Sequence, residues 1–173
     1  MLFRSLSKRY ADSVVLLQEI AYIYQLTGQA KRAASYYEKI HRFDPENLEA
    51  IMQLVRIAIE SEEFSEGQNW IDRAIEMYPS VMEVHELAGQ LYVSAKDYDK
   101  ALQYFRRCKA EDFDTCGVML GSSQCHMGRD EYPQARKILS SAVKIFPDSV
   151  ELALNLARCF LKEGSVKEAQ ELM

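Results

Sequence analysis

The sequence lacks any long apolar segment. No run of apolar residues approaches the roughly 18 that a helix needs to cross a bilayer, and the start does not have the charged, apolar and small-residue regions of a secretory leader. A chain of 173 residues with 48% hydrophobic and 27% charged residues can bury a sizeable core. The sequence therefore predicts one soluble globular body rather than a membrane-spanning or disordered chain.

Paired cysteines and an excess of basic residues are also missing. No Cys-x-x-Cys pair occurs among the four cysteines, Cys108, Cys116, Cys125 and Cys159, and a chain of this length needs no disulfide framework. A net charge of −5 disfavours a protein that follows the phosphates of a nucleic acid. We therefore expect a reducing compartment, protein partners and no nucleic acid.

Residues that could carry metal or catalytic chemistry are few and scattered. The three histidines form no i,i+4 pair. Cys116, Cys125 and His126 are close in sequence, but their intervals match no zinc signature, and buried packing explains them better. Gly121-Ser122-Ser123 lacks both the lysine of a phosphate-binding loop and the strand context of a nucleophile elbow. We expect no metal, no cofactor and no catalytic activity.

A repeat of 34 residues runs through the chain. Pro45 and Pro79 are 34 residues apart, and Pro147 follows after twice that interval. Repeats that begin at residues 14, 48, 82, 116 and 150 need no insertion. Position 20 of the repeat is always small, and position 11 is usually large: the residues are Ala33, Gly67, Ala101, Ala135 and Ala169, and Tyr24, Ala58, Tyr92, His126 and Phe160.

Each repeat has the pattern of two antiparallel helices. Small residues allow two helix backbones to approach closely, and large ones fill the adjacent space. In the first repeat we predict one helix over about 15–26, ended by Gly28, and a second over about 31–43, ended by Asp44-Pro45. Asp97 is predicted to cap a later helix.

Position 8 holds Ala21, Val55, Gly89, Ser123 and Ala157, and position 24 holds Tyr37, Ile71, Phe105 and Leu139. The small residues at positions 8 and 20, the aromatics at 11 and 24 and the proline at 32 resemble the tetratricopeptide repeat family. The resemblance covers nearly the whole chain, with departures such as Phe113 in place of the third proline and Gly67 in place of alanine. It implies an all-α fold, a right-handed α-solenoid of antiparallel helical hairpins. It also implies a non-catalytic scaffold for protein partners.

The frame divides the chain into residues 1–13, the end of a preceding helix or an N-terminal cap, and repeats at 14–47, 48–81, 82–115, 116–149 and 150–173, the last incomplete. A repeat cannot bury its apolar face alone. We therefore expect open ends that make end-to-end contacts, either within a longer repeat protein or with partners. Glycines make the fourth repeat the weakest. The basic first ten residues leave a mitochondrial presequence as the alternative to a cytoplasmic location.

Positions 2, 5, 9 and 12 of the first helices line the concave groove in proteins of this family. The resemblance therefore implies that a partner peptide or helix contacts Gln18, Tyr22, Gln25, Met52, Arg56, Glu83, Glu86, Gln90, Gln124, Met127 and Arg158. Glu83 and Glu86 would repel an acidic chaperone tail. The alternative is an accessory domain of an enzyme whose catalytic part lies outside this chain.

Overall fold

The computed structural model of the protein describes residues 13–171. The predicted preceding helix or cap, and the basic start, lie outside the described residues. Ten helices occupy the described range, and it contains no strand: α1 (Val14–Leu26), α2 (Ala30–Phe43), α3 (Leu48–Glu60), α4 (Phe64–Met77), α5 (Met82–Ser94), α6 (Tyr98–Ala110), α7 (Cys116–Gly128), α8 (Tyr132–Ile145), α9 (Val150–Lys162) and α10 (Val166–Glu171). The all-α prediction is confirmed.

Side-chain caps begin most of the first helices. The side-chain oxygens of Ser13, Asn47, Thr115 and Ser149 each accept a hydrogen bond from the amide three residues later, at 3.0–3.4 Å. These bonds satisfy amides that have no partner within the helix. Asp97 caps α6 in the same way, as predicted, with its carboxylate 3.2 Å from the amide of Lys100.

A left-handed residue joins the two helices of every repeat. Position 15 has a positive φ in all five repeats, at Gly28, Glu62, Lys96, Asp130 and Gly164, with φ between 59° and 83°. Glycine adopts this conformation without a steric cost, and the three side-chain-bearing residues pay for it. The hairpin turn is therefore the same throughout, although only two repeats show it in their sequence.

The chain divides into two compact units, one up to Leu87 and one from Ala88. In the first unit, α1 packs on α2, α2 on α3 and α3 on α4. Its core includes Ala21 and Ala33, the small residues at positions 8 and 20, with Leu17, Tyr37 and Ile40. The small residues are fully buried, which is the close helix contact that the repeat pattern predicts.

Two aromatic rings of the second unit lie against glycines of α7. Phe105 is buried, and a Cβ added at Gly121 would lie 2.8 Å from its Cε2 atom. A Cβ at Gly128 would lie 2.5 Å from the Tyr98 hydroxyl. Gly121 and Gly128 therefore do more than lower the helix propensity of α7, because they leave the space that these rings occupy.

Candidate functional site

The first helix of the chain presents Gln18, Tyr22 and Gln25 along one side. Residues at i, i+4 and i+7 share a helix face, and Leu17, Ile20 and Ala21 bury a different face of α1. Gln18 and Gln25 are half-buried, whereas Tyr22 is 55% exposed. The helix therefore exposes the Tyr22 ring between the half-buried side chains of Gln18 and Gln25, while its other face is buried in the core.

A chain of hydrogen bonds crosses from α2 to α1 and on to α3. The Tyr37 hydroxyl donates to Gln25 Oε1 over 2.8 Å, and Gln25 Nε2 donates to Gln53 Oε1 over 3.2 Å. Gln53 Nε2 then donates to Glu49 Oε1 over 2.7 Å. These bonds hold both amides in one orientation, because each oxygen faces a donor and each nitrogen faces an acceptor.

Burial keeps the hydroxyl of Tyr37, the first donor in this series of hydrogen bonds, protonated. The pKa of Tyr37 is raised to about 12, mainly because its hydroxyl is removed from water. The nearby carboxylates of Glu49 and Glu19 contribute to the same increase. The phenol is therefore a hydrogen-bond donor at every physiological pH. Tyr37 and Gln53 are not at the groove positions 2, 5, 9 and 12, so the family resemblance does not predict them. The i,i+4 spacing of Glu49 and Gln53 is the sequence signal for the hydrogen bond between those two side chains.

The other predicted residues of the first unit lie on α3 and at the start of α5. Met52 is half-buried and Arg56 is exposed, and Arg56 forms no ion pair with any described residue. Glu83 is exposed and Glu86 is half-buried. None of the predicted residues in this unit is lost to the core.

The predicted residues of the second unit are also accessible. Gln90, Gln124 and Met127 are half-buried, and Arg158 is exposed. Leu154 and Leu161 are each 52% exposed, and helical spacing places them on the same side of α9 as Arg158. This side of α9 therefore exposes two leucines beside an arginine.

The structure contradicts the prediction that His126 is buried in the core. Its ring is half-buried, and Nδ1 lies 2.6 Å from Glu131 Oε2. Arg129 pairs with the other Glu131 oxygen at 3.1 Å and with Asp99 at 2.9 Å. The hydrogen bond from His126 is the main cause that lowers the pKa of Glu131, despite some opposing desolvation. Polar contacts thus replace the large apolar residue that position 11 usually holds.

Ser122, His126 and Glu131 have the residue types of a catalytic triad but not its geometry. The Ser122 hydroxyl donates to the Val118 carbonyl over 2.7 Å instead of to the imidazole, whereas an activated serine must face its base. Burial raises the pKa of the Cys125 thiol to about 12, so it is a poor nucleophile. Within residues 13–171, no group of three or more His, Cys, Asp or Glu could hold a metal ion.

Comparison with known proteins identifies the family. A tetratricopeptide repeat model matches residues 24–91 and 126–173, which is more than half of the chain, and a second tetratricopeptide repeat model matches residues 83–115. The chain belongs to the tetratricopeptide repeat family. The predicted resemblance is confirmed, and repeats of this family indicate a scaffold for protein–protein interaction.

Solved structures share the fold. A tetratricopeptide repeat protein from Parabacteroides merdae has a TM-score of 0.82 at 17% identity, over 98% of this chain and 68% of that one. Yeast Tom70 has a TM-score of 0.76 at 20% identity, over 98% of this chain and 37% of that one. At these identities the likeness shows an all-α solenoid fold and nothing about partners.

A human protein is similar in sequence over part of its length. General transcription factor 3C polypeptide 3 is 26% identical over 151 residues, which are 83% of this chain. The chain spans only 16% of that relative's length. Among the helices that the structure describes, none is long and apolar enough to cross a membrane.

Proposed function

We propose that this protein is a non-catalytic scaffold that binds a peptide or helix of a partner protein on its first-helix faces, as part of a larger assembly. The observation that carries the proposal is the ordered chain of hydrogen bonds through Gln25 and Gln53, with Tyr22 exposed on the same helix as Gln25. Amides held in place lose little entropy on binding, and an exposed tyrosine is a common anchor at interfaces.

The chemistry of the first unit suits a partner segment of mixed character. Met52 supplies an adaptable apolar contact, Arg56 offers an unpaired cation, and Glu83 offers a carboxylate. A helix or extended peptide with apolar, acidic and amide-bonding side chains could satisfy all three. The human relative, which is named as one polypeptide of a transcription factor, supports a role within an assembly.

The proposal predicts that Tyr22→Ala combined with Arg56→Ala removes partner binding without unfolding the protein. Anchors of this kind contribute about 2 kcal/mol or more each, so recovery of specific partners should fall at least about tenfold. Quantitative mass spectrometry after affinity purification measures that recovery. Because both side chains are exposed, the melting temperature should change little.

The matched control replaces an arginine and an aromatic of similar exposure on the second helix. Arg42 is exposed and Phe43 is 54% exposed at the end of α2. The Arg42→Ala/Phe43→Ala protein should retain the partners that the first variant loses. Equal recovery by both variants and the wild type would refute the first-helix face as the binding surface.

A further inference from the structure

The second unit contains a cavity on its second-helix side. About 380 Å³ of space lies between α6 and α8, with α7 beneath it. On α7, Val118, Met119, Ser122 and His126 line this cavity, whereas Gln124 and Met127 do not. The cavity is therefore separate from the face assigned to partner binding above, and the inference does not rest on that proposal.

The interior of the cavity is apolar. Phe105 and Met119 are buried in its floor, and Ile138 of α8 is half-buried in its wall. Filling such a space with an apolar group removes both the group and the lining from water. Methionine in the floor can adjust to the shape of the group that enters.

The rim of the cavity is cationic. Arg106 and Lys109 are exposed one turn apart on α6, and Lys137 is exposed on α8. None of the three forms an ion pair with a described residue, and Asp114 is the one acid in the lining. This local excess of positive charge is notable in a chain with a net charge of −5.

The size of the cavity favours a side chain over a whole ligand. A volume of about 380 Å³ is near the lower limit of pockets that enclose small molecules, which is about 300 Å³. Cations on two facing helices can pair with carboxylates on both sides of an inserted group. A fatty acid would offer one carboxylate and a tail that needs a longer enclosed channel.

We propose that this cavity binds an acidic peptide segment of a partner protein, with one large apolar side chain inserted above Phe105 and Met119. Aspartate or glutamate residues on either side of that side chain pair with Arg106, Lys109 and Lys137. The partner is thus recognised by an apolar residue within an acidic stretch, a combination that excludes basic peptides by like-charge repulsion.

The test uses the full chain and a fluorescein-labelled peptide with a central phenylalanine and about four glutamates on each side. Fluorescence anisotropy measures its affinity. Methionines labelled with 13C in their methyl groups report the location, because Met119 lines the cavity and Met127, also on α7, does not. We expect the Met119 signal to shift with peptide concentration and the Met127 signal to stay unchanged.

Charge-reversal variants test whether the cationic rim binds the acidic side chains of the peptide. Arg106→Glu with Lys137→Glu should weaken peptide binding at least about tenfold, since both ends of the acidic segment lose their partners. Lys31→Glu with Lys167→Glu makes the same change in net charge at exposed positions outside the cavity. This control should bind within about twofold of the wild type. A peptide with glycine in place of phenylalanine should bind weakly to all three proteins.

Three results would overturn the proposal. The first is an equal loss of affinity in the cavity variant and the control, which indicates general attraction between charges. The second is a shift of Met127 without a shift of Met119. The third is binding of decanoate at Met119 with no binding of the peptide, which makes the cavity a lipid site. The methyl measurement uses wild-type protein, so it stands even if a variant fails to fold.

Discussion

At the residue scale, the contact between Gly121 and Phe105 shows why a glycine occurs inside a helix. Its hydrogen side chain lets the buried ring lie directly against the backbone of α7, and Gly89 lies against the same ring. Alanine is better than glycine in a helix by about 1 kcal/mol. Helix propensity alone therefore predicts that Gly121 weakens α7, whereas the packing of Phe105 requires a glycine there.

The Gly121→Ala variant should be less stable than the wild type despite its better helix propensity. The added methyl group overlaps a ring rather than a flexible chain end, so overpacking should cost about 1–3 kcal/mol net. That cost lowers the melting temperature by about 2–4 °C per kcal/mol, which thermal unfolding followed by circular dichroism will measure.

Two further variants isolate the cause of this destabilisation. Ser122→Ala, one residue along, should leave the melting temperature nearly unchanged, since the Ser122 hydroxyl bonds only within its own helix. Phe105→Leu should be less harmful in the Gly121→Ala protein than in the wild type, because the smaller side chain makes room for the methyl group. A Gly121→Ala protein that melts higher than the wild type contradicts the packing role.

At the scale of single elements, α7 combines a strong cap with a weak interior. Thr115 caps its first turn, but the helix contains Gly117, Gly121 and the pair Ser122-Ser123. By contrast, α3 contains Leu54, Val55 and other aliphatic residues that are buried along its length. Intrinsic propensity and burial therefore differ between two helices that have equivalent places in the repeat.

Hydrogen exchange should show this difference directly. We expect the amides of α7 to exchange at least about tenfold faster than those of α3 at the same pH, because local opening costs less where interior glycines lower the helix propensity by about 1 kcal/mol each. Exchange followed by mass spectrometry resolves peptides from both helices. Equal protection of 116–128 and 48–60 would show that packing around Phe105 fully offsets the glycines.

At the scale of the whole molecule, the stability of the fold depends on the small residue at position 20 of each repeat. Ala101 is fully buried, as are Ala33, Ala135 and Ala169 at the same position of other repeats. Where a small side chain is enclosed on all sides, a longer one must displace a neighbour, and a charge must also lose its water.

The Ala101→Arg variant should therefore lose about 3 kcal/mol or more of stability, with a visible loss of helix in the far-ultraviolet circular dichroism spectrum at 37 °C. Denaturant unfolding of the full chain gives the value. Gln103→Arg is the control, since position 103 is exposed on the same helix. If both variants unfold at the same denaturant concentration as the wild type, position 20 does not have this role.

The sequence by itself determined the class of fold and the places where the two helices of the first repeat begin and end. The predicted helices over 15–26 and 31–43 match α1 and α2 to within one residue. This succeeded because helical periodicity, prolines and small residues are local signals that recur every 34 residues. The same repetition located the first-helix positions, although their contact with a partner is still a prediction.

Only the tertiary structure decided how side chains from different helices meet. The bond between Gln25 and Gln53 joins residues 28 positions apart, and the cavity above Met119 joins three helices. The repeat pattern likewise predicts His126 in the core, whereas in the structure it is half-buried and pairs with Glu131. Such contacts depend on the rotation and spacing of whole helices, which a periodic pattern restricts but does not specify.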